Sequence, residues 1–69
     1  MNVIIDSLEF DQGLEARIEA NLKEDNEVTL ENYSAAFHGN MCLQLGKTYG
    51  MQLLFNPDQT ECRFKRNSN

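Results

Sequence analysis

The stretch LEARIEANL at residues 14–22 decides the fold, because it fits two different secondary structures. Its apolar and polar residues alternate without a break, which is typical of a half-buried strand. Its residues are also good helix formers, and Leu14, Ile18 and Leu22 recur every four positions, as on one face of a helix. The unbroken alternation favours the strand, and the helix is kept as the alternative.

The residues before this stretch favour the strand interpretation. Residues 3–10 are rich in β-branched and aromatic types, as strands usually are. Asp11-Gln12-Gly13 has the chemistry of a three-residue hairpin loop. A hairpin across this loop places Phe10 opposite Leu14, so the two strands are predicted to pair with apolar side chains on one face.

A short helix is predicted at residues 30–38. Thr29 is suited to the N-cap position, and Gly39 stands where a helix C-terminus is usually capped. Leu30, Tyr33 and Phe37 would form one apolar stripe along it.

The last third of the chain predicts three strands in succession. Residues 41–45, 51–55 and 60–65 alternate, and they are separated by the glycine-flanked loop 46–50 and by a turn at 56–59. Across that turn, Leu53 is expected opposite Cys62 and Met51 opposite Phe64. Residues 66–69 are expected to form a frayed tail.

The predicted fold is therefore α+β, in one domain covering residues 1–69. It is a five-stranded antiparallel sheet in the order β-β-α-β-β-β, with one short helix packed on one face. A chain of this size buries only about 60% of its unfolded surface, so the margin of stability is thin.

The charge is negative and unevenly distributed. The net charge is -5, with nine acids and two bases in residues 1–40 but two acids and four bases in residues 41–69. This balance argues against direct binding to nucleic acid, where neutralisation of phosphates by Lys and Arg dominates the affinity. It argues equally against an anionic membrane surface. An acidic region can instead steer the protein toward a basic partner.

Two cysteines are fewer than a small disulfide-dependent secreted domain usually has. The first ten residues lack the pattern of a signal peptide, and no apolar stretch approaches the length of a membrane span. We therefore expect a cytoplasmic protein with reduced thiols.

No motif predicts an enzyme, a cofactor or a metal site. Gly46-Lys47-Thr48 imitates the end of a phosphate-binding loop, but Met41 stands where that motif requires its first glycine. His38, Cys42 and Cys62 are too few, and too irregularly spaced, for a typical zinc site. Cys62 is expected in the core, and Cys42 is expected to be partly exposed.

The acidic residues are the main functional candidates, as a docking face for a larger protein with a basic surface, such as one that handles nucleic acid. Solubility alone also accounts for such a charge. Small acidic proteins of this kind recur among phage-encoded inhibitors of host or defence proteins, an analogy of size and charge only. The predicted partner-binding residues are Glu9, Glu15, Glu19, Glu24, Asp25, Glu27 and Glu31.

The alternative function is a homodimeric structural or regulatory module. In that hypothesis the outer face of the sheet carries an apolar patch that pairs with itself. The residues predicted for this patch are Val3, Ile5, Cys42 and Leu54.

Overall fold

Four strands and two helices form the protein in a computed structural model that describes residues 1–10 and 12–67. A 3₁₀ turn follows the first strand, and all other elements are regular strands and α-helices. The elements are β1 (Asn2–Asp6), the 3₁₀ turn (Ser7–Glu9), α1 (Leu14–Lys23), β2 (Glu27–Glu31), α2 (Ala35–Tyr49), β3 (Met51–Phe55) and β4 (Glu61–Arg66).

The sheet is mixed and has the strand order β1-β2-β4-β3. β1 and β2 are parallel, whereas β4 is antiparallel to both of its neighbours. The α+β class is confirmed. The predicted five antiparallel strands and single short helix are wrong in detail, since there are four strands and two helices among the described residues.

Helix α1 occupies the stretch that the alternation assigned to a strand. Gly13 precedes it in a left-handed conformation, with φ at 84°, and the Gly13 carbonyl accepts the first helical bond from Arg17 at 3.0 Å. Ile18 and Leu22 are buried on one side. The helical alternative is therefore correct, because parallel β1 and β2 need a crossover between them and α1 supplies it.

Helix α2 lies further along the chain than the helix predicted at residues 30–38. Thr29 belongs to β2, where Val28 and Leu30 alternate into the core. α2 then runs through the predicted strand 41–45 and ends at Gly50, whose φ of 64° is the left-handed conformation common after helices. The predicted loop at 46–50 is therefore helical up to Tyr49.

The β3–β4 hairpin was predicted correctly, but its register was not. Leu53 lies opposite Phe64, and Met51 lies opposite Arg66, a shift of two residues from the prediction. A shift of two keeps every side chain on its predicted face, so hydrophobic pattern alone does not distinguish the two registers. The Asn56 carboxamide oxygen sets the turn by accepting from the backbone N–H groups of Thr60 at 2.8 Å and Glu61 at 2.9 Å.

The core lies between the two helices and one face of the sheet, and the other face of the sheet has no covering layer in residues 1–10 and 12–67. Among the described residues, the largest fully buried side chains are Phe64, Ile18, Leu30, Val28, Cys42 and Cys62. Glycine at position 46 lets α2 approach β3 closely, because a Cβ there would be 3.3 Å from the Met51 carbonyl oxygen. No helix in the described part of the chain is both long and apolar enough to cross a membrane.

The first two residues of the predicted frayed tail, Arg66 and Asn67, are held by contacts with the rest of the fold. Arg66 ends β4, and its guanidinium forms an ion pair of 2.7 Å with Asp25. Asn67 donates a hydrogen bond to the Gly50 carbonyl oxygen at 3.0 Å. The rest of the predicted tail, Ser68 and Asn69, lies outside the described residues.

Candidate acidic docking site

Three carboxylates lie side by side across the uncovered face of the sheet. Asp6 on β1 is paired with Glu31 on β2, and Glu31 is paired with Glu61 on β4. Each follows or precedes a buried residue, so its own side chain points away from the core. We call these three residues the acidic row. Like charges directly opposite one another destabilise a sheet, so this row costs the fold stability.

The carboxylate of Asp6 is held in place by two hydrogen bonds. Its Oδ1 atom accepts from the Asn32 side-chain amide at 2.8 Å and from the Leu8 backbone N–H at 3.0 Å. These bonds, the one from Asn32 first, hold the pKa of Asp6 below its ordinary value. The carboxylate is therefore charged at neutral pH. The backbone of Asn32 is itself fixed, because the Ser7 hydroxyl donates to the Asn32 backbone carbonyl oxygen at 2.7 Å.

A hollow of about 280 Å³ opens beside the acidic row at the β1 edge of the sheet. Three carboxylates and one guanidinium line it together with apolar side chains. Its residues are Ile4, Ile5, Asp6, Glu9, Phe10, Arg17 and Glu31. We call it the acidic hollow.

The acidic hollow keeps a negative excess. In residues 1–10 and 12–67 the ion pairs are Arg63 with Glu27 and Arg66 with Asp25, and neither reaches the hollow. Exposed apolar groups stand close by: Ile4, in the lining, is 62% exposed and Leu8 is 76% exposed. The arrangement suits a cationic side chain with an aliphatic stem, since carboxylates bind the charged head and apolar groups contact the stem.

The seven acidic residues predicted to bind a partner are distributed over several elements of the fold. Glu9 and Glu31 line the acidic hollow, whereas Glu15 and Glu19 lie on α1 and Glu24 follows it. The carboxylate of Glu19 accepts a hydrogen bond from the Tyr49 hydroxyl at 2.7 Å, which raises the pKa of Tyr49 to about 12.

Two more of the predicted acids, Asp25 and Glu27, are engaged within the fold. Asp25 is paired with Arg66, and Glu27 accepts from the Arg66 backbone N–H at 3.0 Å and from the Arg63 guanidinium at 3.2 Å. The bond from the Arg66 backbone, followed by that from Arg63, lowers the pKa of Glu27. The prediction also missed Asp6 and Glu61, because only the strand register places them beside Glu31.

The residues predicted for an apolar outer face do not share that face. Ile5 and Cys42 are buried in the core, and Val3 packs against it. Only Leu54 points to the uncovered face, where it lies opposite Arg63. The predicted patch is wrong because β1 turns its odd-numbered residues inward and Cys42 belongs to a helix.

The cysteine, histidine and glycine residues considered as chemical sites all have contacts that belong to the fold itself. Cys42 and Cys62 are free and fully buried, which corrects the expected partial exposure of Cys42. The hydrogen bond with Cys42, together with burial, raises the pKa of Cys62. His38 uses Nδ1 to accept the Ser34 backbone N–H at 2.9 Å. Gly46-Lys47-Thr48 lies in the last turns of α2, whereas phosphate-binding loops precede a helix.

Within residues 1–10 and 12–67, no three His, Cys, Asp or Glu side chains come together in a way that would hold a metal ion. Comparison of the chain with protein-family models, with curated proteins and with solved structures finds no match. The acidic hollow and the acidic row are therefore the features from which a function can be inferred.

Proposed function

We propose that this protein is a non-enzymatic binding module that covers a basic surface of a larger protein. Its acidic hollow receives an Arg or Lys side chain, and the acidic row contacts neighbouring basic groups. The observation that supports this most is the placement of Asp6, Glu31 and Glu61 in direct register on the uncovered face. Of these three residues, only Glu31 was among the seven acids predicted from the sequence to bind a partner.

The cost of the acidic row favours a binding role over solubility alone. Carboxylates scattered over the surface keep a protein soluble, whereas carboxylates paired across strands also repel one another. A partner guanidinium between them would relieve that repulsion and form charge-assisted hydrogen bonds. Binding would therefore recover part of the stability that the free protein lacks.

The hollow also has the composition of an interface centre. A cationic side chain inserted there is partly removed from water, next to Ile4 and Phe10, so its charge pairs are less screened than pairs on an open surface. Loss of one partner from a hydrogen-bonded charge pair that binding has buried weakens a complex more than loss of a charge at the rim. We therefore expect the affinity to depend mainly on the hollow.

A basic surface that normally holds nucleic acid fits this chemistry best. Such surfaces carry several Arg and Lys groups arranged for a row of phosphates, and a row of carboxylates presents the same sign of charge. The protein would then compete with nucleic acid without binding it. An inhibitor of the phage-encoded kind would act in this way.

Affinity capture from a cell lysate with matched variants tests the proposal. The double variant Asp6→Asn, Glu31→Gln removes two carboxylates from the hollow and keeps their shapes. The control Glu15→Gln, Glu24→Gln removes the same charge from α1 and the residue that follows it. We expect the wild type and the control to retain a basic protein at low salt and release it at high salt or with excess nucleic acid.

The hollow variant should retain that protein at least about tenfold more weakly, because two charge pairs with the partner lose their negative member. Equal capture by the hollow variant and by the α1 control would contradict the proposal, because binding would then follow total charge. Both variants should first show the circular dichroism and the unfolding midpoint of a folded protein.

A further inference from the structure

The second edge of the sheet, strand β3, differs chemically from the acidic site. Its sequence, MQLLF at residues 51–55, contains no charged residue. In the described part of the chain β3 pairs with β4 alone, so its other side directs backbone N–H and C=O groups outward without a strand partner. Natural edge strands usually carry charges, proline or a bulge that prevent pairing with another chain. β3 carries no charge and no proline.

An apolar groove runs along this edge, between β3 and the C-terminal half of α2. It has a volume of about 500 Å³, and Lys47 is the one charged residue that lines it. Leu43 is 52% exposed and Phe55 is 46% exposed, so both contribute accessible apolar surface. Gly50 leaves space above the groove, since a Cβ there would meet nothing within 4 Å.

We propose that β3 pairs with β3 of a second copy of this chain, antiparallel and about a twofold axis at Leu53. The two sheets then become one continuous sheet. In this register Met51 of each copy faces Phe55 of the other, and Gln52 faces Leu54. Every opposed pair is uncharged, and the ends and the centre of the strand are apolar, so the edge is complementary to itself as a twofold interface requires.

The groove and the turn next to β3 also complement each other. The antiparallel register brings the Gly50 end of one copy beside the Phe55 end of its partner, twice in the dimer. Phe55 of one copy then reaches the apolar groove of the other. The same arrangement brings Lys47, at the groove, toward Asp58, in the turn that follows β3, and these side chains have opposite charges.

The net charge of -5 does not prevent this pairing, because the acidic hollow lies at the opposite edge. Three strand spacings of about 4.8 Å separate β3 from β1, or about 14 Å, and two spacings, or about 10 Å, separate it from Glu31 on β2. The Debye length at physiological ionic strength is about 8 Å. Carboxylates of the hollow are therefore largely screened at the β3 edge. The dimer also leaves both hollows open, which would make it bivalent for a basic partner.

The test is the mass of the protein in solution as a function of concentration, measured by light scattering and by sedimentation. We expect the wild-type mass to rise from that of one 7.9 kDa chain toward twice that value. The variant Gln52→Glu, Leu54→Glu places two carboxylates opposite one another in the proposed register. Within one copy these carboxylates face Lys65 and Arg63, so the fold tolerates them. This variant should remain monomeric.

Two further variants test the register itself. Gln52→Glu, Leu54→Lys places opposite charges across the proposed axis, and it should restore the dimer. Its new lysine lies opposite Arg63 within one copy, so its fold is first checked by circular dichroism. Ile4→Glu introduces one carboxylate at the β1 edge, and it should leave the dimer unchanged. A wild type that stays monomeric up to millimolar concentration would overturn the proposal. So would a double carboxylate variant that dimerises like the wild type. Either result can be obtained whether or not the acidic hollow binds a partner.

Discussion

The two edges of the sheet differ in the property that governs strand pairing. β1 ends in Asp6 and is followed by the 3₁₀ turn with Glu9, so carboxylates stand at its exposed edge. β3 has no charged residue and borders an apolar groove. The difference indicates that the two edges of one small sheet can carry opposite signals for strand pairing, since charge is what discourages pairing at natural edge strands.

The edges also differ in how they are attached to the centre of the sheet. β1 is joined to β2 through the crossover helix α1, whereas β3 is joined to β4 by a short turn. The β1 edge therefore depends on contacts that are distant in sequence. The β3 edge depends on a local hairpin and on the close approach of α2 at Gly46.

The largest expected effect comes from Phe64→Ala in the central strand β4, which supports both edges. Phe64 is fully buried, and loss of such a side chain costs about 3–5 kcal/mol in a core. We expect one cooperative transition at lower urea, with the β1 and β3 amides losing hydrogen-exchange protection together. Phe64→Leu should cost less, as it leaves a smaller cavity. Separate transitions for the two edges would show that they unfold independently.

A smaller effect, confined to the β3 edge, is expected for Asn56→Ala. The substitution leaves the backbone N–H groups of Thr60 and Glu61 without their acceptor. We expect a loss of about 1–2 kcal/mol, in the range for lost turn and cap bonds. Asn56→Asp keeps the acceptor oxygen and serves as the control. Hydrogen exchange should accelerate at β3 more than at β1, and equal acceleration at both edges would contradict a local role.

The smallest effect, at the β1 edge, is a change in a titration. Asn32→Gly keeps the left-handed backbone, with φ at 57°, and removes the amide that donates to Asp6. We expect the pKa of Asp6 to rise toward its ordinary value of 3.8, measured by NMR of the carboxyl carbon. A control, Asn67→Gly, lies away from Asp6. An unchanged titration would mean that the Leu8 N–H alone holds the carboxylate.

The same bond has a consequence for acid stability. The pKa of Asp6 is lowered in the folded state, so the ionised carboxylate stabilises the fold fully at pH values above 3.8. This stabilisation is lost as the pH falls through the lower pKa that Asp6 has in the folded protein. The dependence of unfolding on pH below 3.8 should therefore be weaker in Asn32→Gly than in the wild type.

Local sequence signals predicted the β3–β4 hairpin well. Its turn contains Pro57 between Asn56 and Asp58, and the flanking strands alternate clearly. The register was missed because a shift of two residues preserves the apolar face, and the Asn56 bonds that select it depend on turn geometry.

The two helices were misplaced because sequence patterns overlapped. In α1 the alternation that suggested a strand coexists with the helical spacing of Leu14, Ile18 and Leu22, and the crossover between parallel strands decided in favour of the helix. At Thr29 a credible N-cap lies inside β2, since burial of Val28 and Leu30 between two neighbouring strands outweighs local capping.

The candidate site was predicted in part, through Glu9 and Glu31. Acidic composition identified them, but it selected Asp25 and Glu27 equally, and these are engaged by Arg66 and Arg63. Asp6 and Glu61 were missed because Glu31, their neighbour in space, is far from both of them along the chain. Only the pairing of the strands brings the three residues together.

The strand order has a consequence for folding during synthesis on the ribosome. β4 follows all the other described strands in the chain, yet it lies between β2 and β3. Until β4 emerges, β3 has no neighbour in the sheet and β2 can pair with β1 alone. The nascent chain therefore carries its uncharged segment 51–55 without a strand to accept and donate its hydrogen bonds, and the shortness of the turn before β4 limits the length of chain that must be made before they form.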